Sequence, residues 1–148
     1  MGSILNDVER TAICDRINSV TSASVPAWGR MDAAAMLNHL KQSALMALGE
    51  LPVACKNKRL FQVFPIKHLI LYVVPFPKGA PTAPELLIAD ATSVDTLRSE
   101  LVSLIERIGT GPRDGYGPAH PLFGRLSLRE WGVATYKHTD HHLRQFNV

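Results

Sequence analysis

The residues of this chain best equipped for chemistry are its six histidines, three of which fall within five positions as His138, His141 and His142. A helix advances about 100° per residue, so His138 and His142 lie one turn apart, on a face shared with Trp131, Thr135 and Gln145. Lys137, Asp140 and Arg144 fall on the opposite side, expected to be wet. A second helical stretch places His39 near the centre of a face with Met36, Ser43, Met46 and Ala47. Imidazoles in the middle of core-facing stripes need partners. Two at i and i+4 can converge on one ion, and a third from a neighbouring helix completes a facial set. His39, His138 and His142 are therefore candidate metal ligands.

Three histidines leave positions open for water or substrate, which is the habit of catalytic rather than structural sites. Imidazole suits Zn²⁺, Ni²⁺, Co²⁺ or Fe²⁺ better than Mg²⁺ or Ca²⁺. The alternative is a set of hydrogen-bonded core histidines, or a small pocket without metal. No HExxH is present, so a metalloprotease with a glutamate base between its ligands is unsupported. His141 lies about 60° from the His138 direction, at the edge of the buried face, and reads as a pocket-rim group able to move protons. His120, in a glycine-rich loop, is either a surface residue or a second proton-transfer group. His68 has no histidine companion, and a metal role for it is not expected.

Five helical segments must position these groups. The last runs from Ser127 to Phe146 and opens on a capping box, Ser127 with Glu130 three residues on. The first, Ile4 to Val20, carries Ile4, Val8, Ala12, Ile13 and Ile17 at helical spacing. The second runs from Asp32, a suitable N-cap, to about Leu48, with Gly49 fitted to the left-handed turn beyond it. Arg59 to Val74 reads as a helix kinked or split at Pro65, although Leu69 to Val74 has the β-branched content of a strand. Ser93 caps a helix from Val94 to Ile108, ended by Gly109 and Gly111. Four prolines between Pro75 and Pro84 mark an extended loop. The resulting fold class is all-α, with α+β as the runner-up.

At 148 residues the chain suits one domain, residues 1–148. With 46% apolar and 20% charged residues it is neither disordered nor a coiled coil. The net charge of +3 is spread over scattered basic residues, which argues against nucleic acid as the main partner. Cys14 and Cys55 lack metal or redox spacing and read as small thiols in a reducing compartment. The first residues lack the basic-then-apolar run of a secretory signal. The most apolar stretch, Leu60 to Pro77, is broken by Gln62, Pro65, Lys67 and His68 before it could span a bilayer. A soluble cytoplasmic protein is expected, with no membrane partner.

The segment HPLFGRLSLREWGVATYKHTDHHLRQF (residues 120–146) resembles the DinB-like superfamily, in particular its small bacterial families of unknown function. WGRMDAAAMLNHL (residues 28–40) and PKGAPTAPEL (residues 77–86) resemble the same families. The resemblance implies a four-helix up-down bundle of DinB/YfiT-like type, commonly dimeric, with a Pro-rich loop and short helical insertions. It also implies a divalent metal, zinc or nickel, on His39, His138 and His142. One implied activity is metal-dependent thiol transfer using bacillithiol, mycothiol or glutathione, and hydrolase-type chemistry is another. His141 and His120 would assist proton transfer, while Arg30 and Arg125 are candidates to bind a thiol cofactor's carboxylates. A non-catalytic dimeric bundle that binds a metal or small ligand in a stress response is the other reading.

Overall fold

A computed structural model describes residues 2–54, 59–75 and 92–148. Its first helix, α1 (Asp7–Ser19), starts where the Asn6 side chain accepts the Glu9 N–H at 3.1 Å. Asp7 and Glu9 sit in its first turn and Arg16 in its last, each complementing the helix dipole. The second, α2 (Ala33–Ala47), is capped by Asp32, which accepts the Ala35 N–H at 2.8 Å. It ends as expected at Gly49, with φ +77°. There Glu50 donates to the Leu45 carbonyl and Gly49 to the Met46 carbonyl, the paired closure of a Schellman turn.

Pro65 splits the third region into a single 3₁₀ turn (Arg59–Gln62) and a short helix α3 (Ile66–Tyr72). The strand alternative for Leu69 to Val74 is thereby set aside. Helix α4 (Val94–Thr110) begins at Ser93, as the sequence indicates, but runs through Gly109 and is capped at Gly111. Gly109 is a packing residue rather than a stop: a Cβ there would lie 2.7 Å from the Ile4 carbonyl and collide with Arg10.

The all-α expectation fails between α4 and the last helix. Strands β1 (Tyr116–His120) and β2 (Gly124–Ser127) form an antiparallel hairpin, pairing Tyr116 with Ser127, Ala119 with Arg125 and His120 with Gly124. The last helix, α5 (Leu128–Gln145), starts directly from β2 through the complete Ser127–Glu130 capping box. Over the described residues the fold is thus mostly helical with one small sheet. Nearly all of the Pro-rich loop expected over residues 75–92, and Cys55, lie outside the described residues.

Helix α2 packs against both α4 and α5, and α1 packs against the same two. Ile13, Ile17, Met36, Leu37, Leu40, Leu101 and Ile105 fill the space between them, all essentially inaccessible to water. A second apolar cluster joins the end of α2 to α3, the hairpin and the start of α5 through Met46, Leu71, Phe123, Leu126 and Trp131. Ile108 touches both clusters. Among the described residues, no helix is long and apolar enough to cross a membrane.

Candidate metal centre

Helices α2 and α5 meet side by side, and their inward faces bring His39, His138 and His142 together. His39 Nε2 lies 3.0 Å from His138 Nε2, which in turn lies 3.2 Å from His142 Nε2. The three ligand atoms all fall within 4.8 Å of one another. Each pair of rings has its centroids 4.8 Å apart, with interplanar angles of 85°, 76° and 80°. Three mutually near-perpendicular imidazoles thus gather their ligand nitrogens within one small space.

Those spacings test whether a metal fits. Nitrogens about 2.0–2.1 Å from a common ion lie about 3.0 Å apart at right angles and about 3.4 Å apart at the tetrahedral angle. Two of the three nitrogen pairs, at 3.0 and 3.2 Å, fall in that window, and the third lies within 4.8 Å. Bare lone pairs at that separation repel unless a proton or a cation sits between them. The donor set, three imidazoles with no carboxylate among the described residues, is borderline-soft and matches a divalent transition ion. His39, His138 and His142 can hold such a metal.

The protonation chemistry agrees. Burial pushes His138 well below the ordinary imidazole range, and the neighbouring His142 and His39 push it in the same direction. His142 is lowered to about 4 by burial and then by His39, against a smaller opposing effect of its bond to Gln145. Both are therefore neutral at pH 7, with a lone pair to offer.

Behind the convergent nitrogens, polar groups steady the rings on α5. Ser43, one turn beyond His39 on α2, places its hydroxyl 3.1 Å from His138 Nδ1. Gln145 places Oε1 2.9 Å from His142 Nδ1 and donates from Nε2 to the Trp28 carbonyl at 2.6 Å. Neither Ser43 nor Gln145 stands out among the chemically active residue types. Their spacing is nevertheless visible in the sequence: Ser43 is four residues after His39, and Gln145 is three after His142 on the same face.

The other histidines lie outside the convergence. His141 is half-buried, its ring centroid 6.2 Å from that of Trp28 and 5.2 Å from that of His142. His120 ends β1, where its Nδ1 accepts the N–H groups of Leu122 (3.1 Å) and Phe123 (3.2 Å). Its ring lies against Phe123 and Trp131, and burial lowers its pKa to about 4. His68 is exposed on α3, stacked on Tyr72 at 4.5 Å. Arg125 is exposed, with its guanidinium 3.7 Å above the Tyr116 ring, and Arg30 is exposed just after Gly29.

The model of a family described as protein of unknown function, DUF1569, matches residues 6–148, and the chain belongs to that family. No curated protein and no solved structure matches it.

Proposed function

We propose that this DUF1569 member is a metal-dependent enzyme of the DinB-like type, with zinc or nickel held by Nε2 of His39, His138 and His142. The observation that carries the reading is the near-perpendicular meeting of three imidazoles whose ligand nitrogens all lie within 4.8 Å of one another. A divalent metal held there supplies positive charge that lowers the pKa of a bound thiol or water, preparing it to attack an electrophile. Thiol transfer is the leading chemistry and hydrolysis the next.

The chain's own residues then have distinct tasks. His39, almost inaccessible on α2, forms the floor, while His138 and His142 keep partial exposure and mark the open side. His141, beside Trp28 and His142, is placed to take or give a proton at the rim. His120 has committed Nδ1 to two backbone donors, so its remaining N–H, on Nε2, equips it to donate a hydrogen bond rather than to act as a base. Arg30 is the better candidate for a thiol cofactor's carboxylate, because Arg125 is already stacked on Tyr116. The proposal includes one domain over residues 1–148, an up-down bundle of the four long helices, a homodimer and a cytoplasmic setting.

The test is elemental analysis of the purified, untagged protein beside its His138→Ala and His142→Ala variants. The expected result is one transition metal per chain, lost in both variants, followed by turnover in a screen of low-molecular-weight thiols. A parent that stays metal-free after reconstitution with zinc or nickel would sink the proposal. A second reading, a non-catalytic metal-binding protein, draws on the surface clefts of the molecule. One of about 310 Å³ is lined by Ser3, Asn6, Tyr72, Arg113 and Arg129, another lies along α1, and neither includes the three histidines. Bound metal without turnover of any thiol would favour that second reading.

A further inference from the structure

The link between α1 and α2 grips the last residue of α5 at two points. Gln145 closes the helix, so its carbonyl has no partner within α5, and it accepts the Ala27 N–H at 2.7 Å. Its side chain reaches the same link and donates from Nε2 to the Trp28 carbonyl at 2.6 Å. The Gln145 residue is 4% exposed, so neither contact competes freely with water.

These contacts determine the orientation of the amide. A carbonyl can only accept, so the Gln145 NH₂ must face Trp28 and its Oε1 must face His142. Oε1 can only accept in turn, so at 2.9 Å the His142 Nδ1 must carry the proton. A neutral imidazole with its proton on Nδ1 leaves Nε2 bare, and Nε2 is the atom aimed at His138 Nε2. Gly29 keeps the path clear. Its φ is +85°, a region unfavourable to side chains, and a Cβ there would collide with Gln145 Nε2.

Building on the metal reading above, we propose that Gln145, oriented by the backbone of residues 27–29, is a positioning residue that selects which nitrogen His142 offers to the centre. The Trp28–Gly29 link is then part of the site, although it contributes no ligand. Partners of this kind behind a metal-binding histidine affect metal affinity about 10- to 100-fold.

Long-range ¹H–¹⁵N NMR of the metal-free protein at pH 7 reads the His142 tautomer directly, and a zinc competition titration reads affinity. The wild type is expected to carry the proton on Nδ1. In Gln145→Leu the proton moves toward Nε2 and zinc affinity falls about 10- to 100-fold. Gln145→Glu, which still accepts from Nδ1–H, keeps the tautomer. Gly29→Ala, which touches no histidine, moves the tautomer in the same direction as Gln145→Leu, an effect not expected from a generic loss of packing. A wild type with the proton on Nε2 would overturn the proposal, and that measurement needs no variant to fold. An unchanged tautomer and affinity in Gln145→Leu would overturn it as well. A His142 tautomer that responds to Gln145→Leu in a protein that binds neither zinc nor nickel would uphold the relay and remove the metal reading.

Discussion

Acid should attack this fold through the turn that His120 closes. His120 Nδ1 accepts two backbone N–H groups, so a proton arriving there must displace both of them. Burial has already lowered the imidazole from its ordinary 6.5 to about 4. The sign follows from linkage. Between those values the unfolded chain binds the proton and the folded chain does not, so stability rises with pH across the window. His120's contribution is fully present above about 6.5 and is lost as the pH falls toward about 4. A shift of this size corresponds to about 3 kcal/mol at 1.36 kcal/mol per unit, trimmed to about 2–3 kcal/mol by the ring's partial exposure. For a chain of this length that is about 4–12 °C in Tm. His120→Asn keeps an acceptor for the turn but cannot titrate, so it isolates the effect. Thermal melts of both proteins from pH 7.5 to 4 should start with the wild type higher, because the variant loses the ring's contacts with Phe123 and Trp131. The gap should then close by about 4–12 °C as the pH falls. Melting curves that run parallel over the whole range would refute the reasoning.

Two further outcomes test other parts of the molecule. Lys137 is 7% exposed and donates from Nζ to the carbonyls of Ile70, Leu71 and Val74, at the end of α3. Burial pushes the Lys137 ammonium below its ordinary range, but Lys137→Met takes the donor away from three carbonyls at the end of α3, so it should lose about 2 kcal/mol, or about 4–8 °C in Tm; an equal or higher Tm would contradict this capping role. Cys14 is buried beside Glu106, and burial followed by that carboxylate pushes its thiol up to about 11. In a Cys55→Ser background, iodoacetamide at pH 8 should leave Cys14 unmodified until denaturant is added, and rapid labelling of the native protein would show a reactive thiolate instead.

Local chemistry makes several elements legible in the sequence. Asp32, Ser93 and the Ser127–Glu130 pair cap the helices that follow them, because a cap needs only a side-chain oxygen and a free N–H within three residues. The convergence of His39, His138 and His142 is legible because it combines two helical faces. The hairpin is not. Its first strand contains Gly117 and Pro118, which argue against a strand in sequence, and what justifies them is tertiary. The Pro118 carbonyl accepts the Trp131 indole N–H at 3.0 Å, and a Cβ on Gly117 would lie 2.6 Å from the same indole. Gly109 misleads for a related reason: its missing side chain accommodates Arg10 of α1 rather than ending α4.

The reading of α5 as half wet fails in a way that bears on the site. A helical face plot assumes one buried side and one exposed side, but Trp131 to Thr135 are five consecutive buried residues. Neighbours grip α5 around most of its circumference. Lys137, expected in solvent, instead pins α3. Asp140, also expected in solvent, pairs with Arg16 of α1 at 2.7 Å. Gln145 holds the link before α2, and Ser43 of α2 meets His138 from the other side. A single pair of ligands one turn apart could rotate as the helix rotates. Restraints from α1, α2, α3 and the link limit that freedom. Imidazoles restrained from several sides are what a binding site needs to hold one geometry.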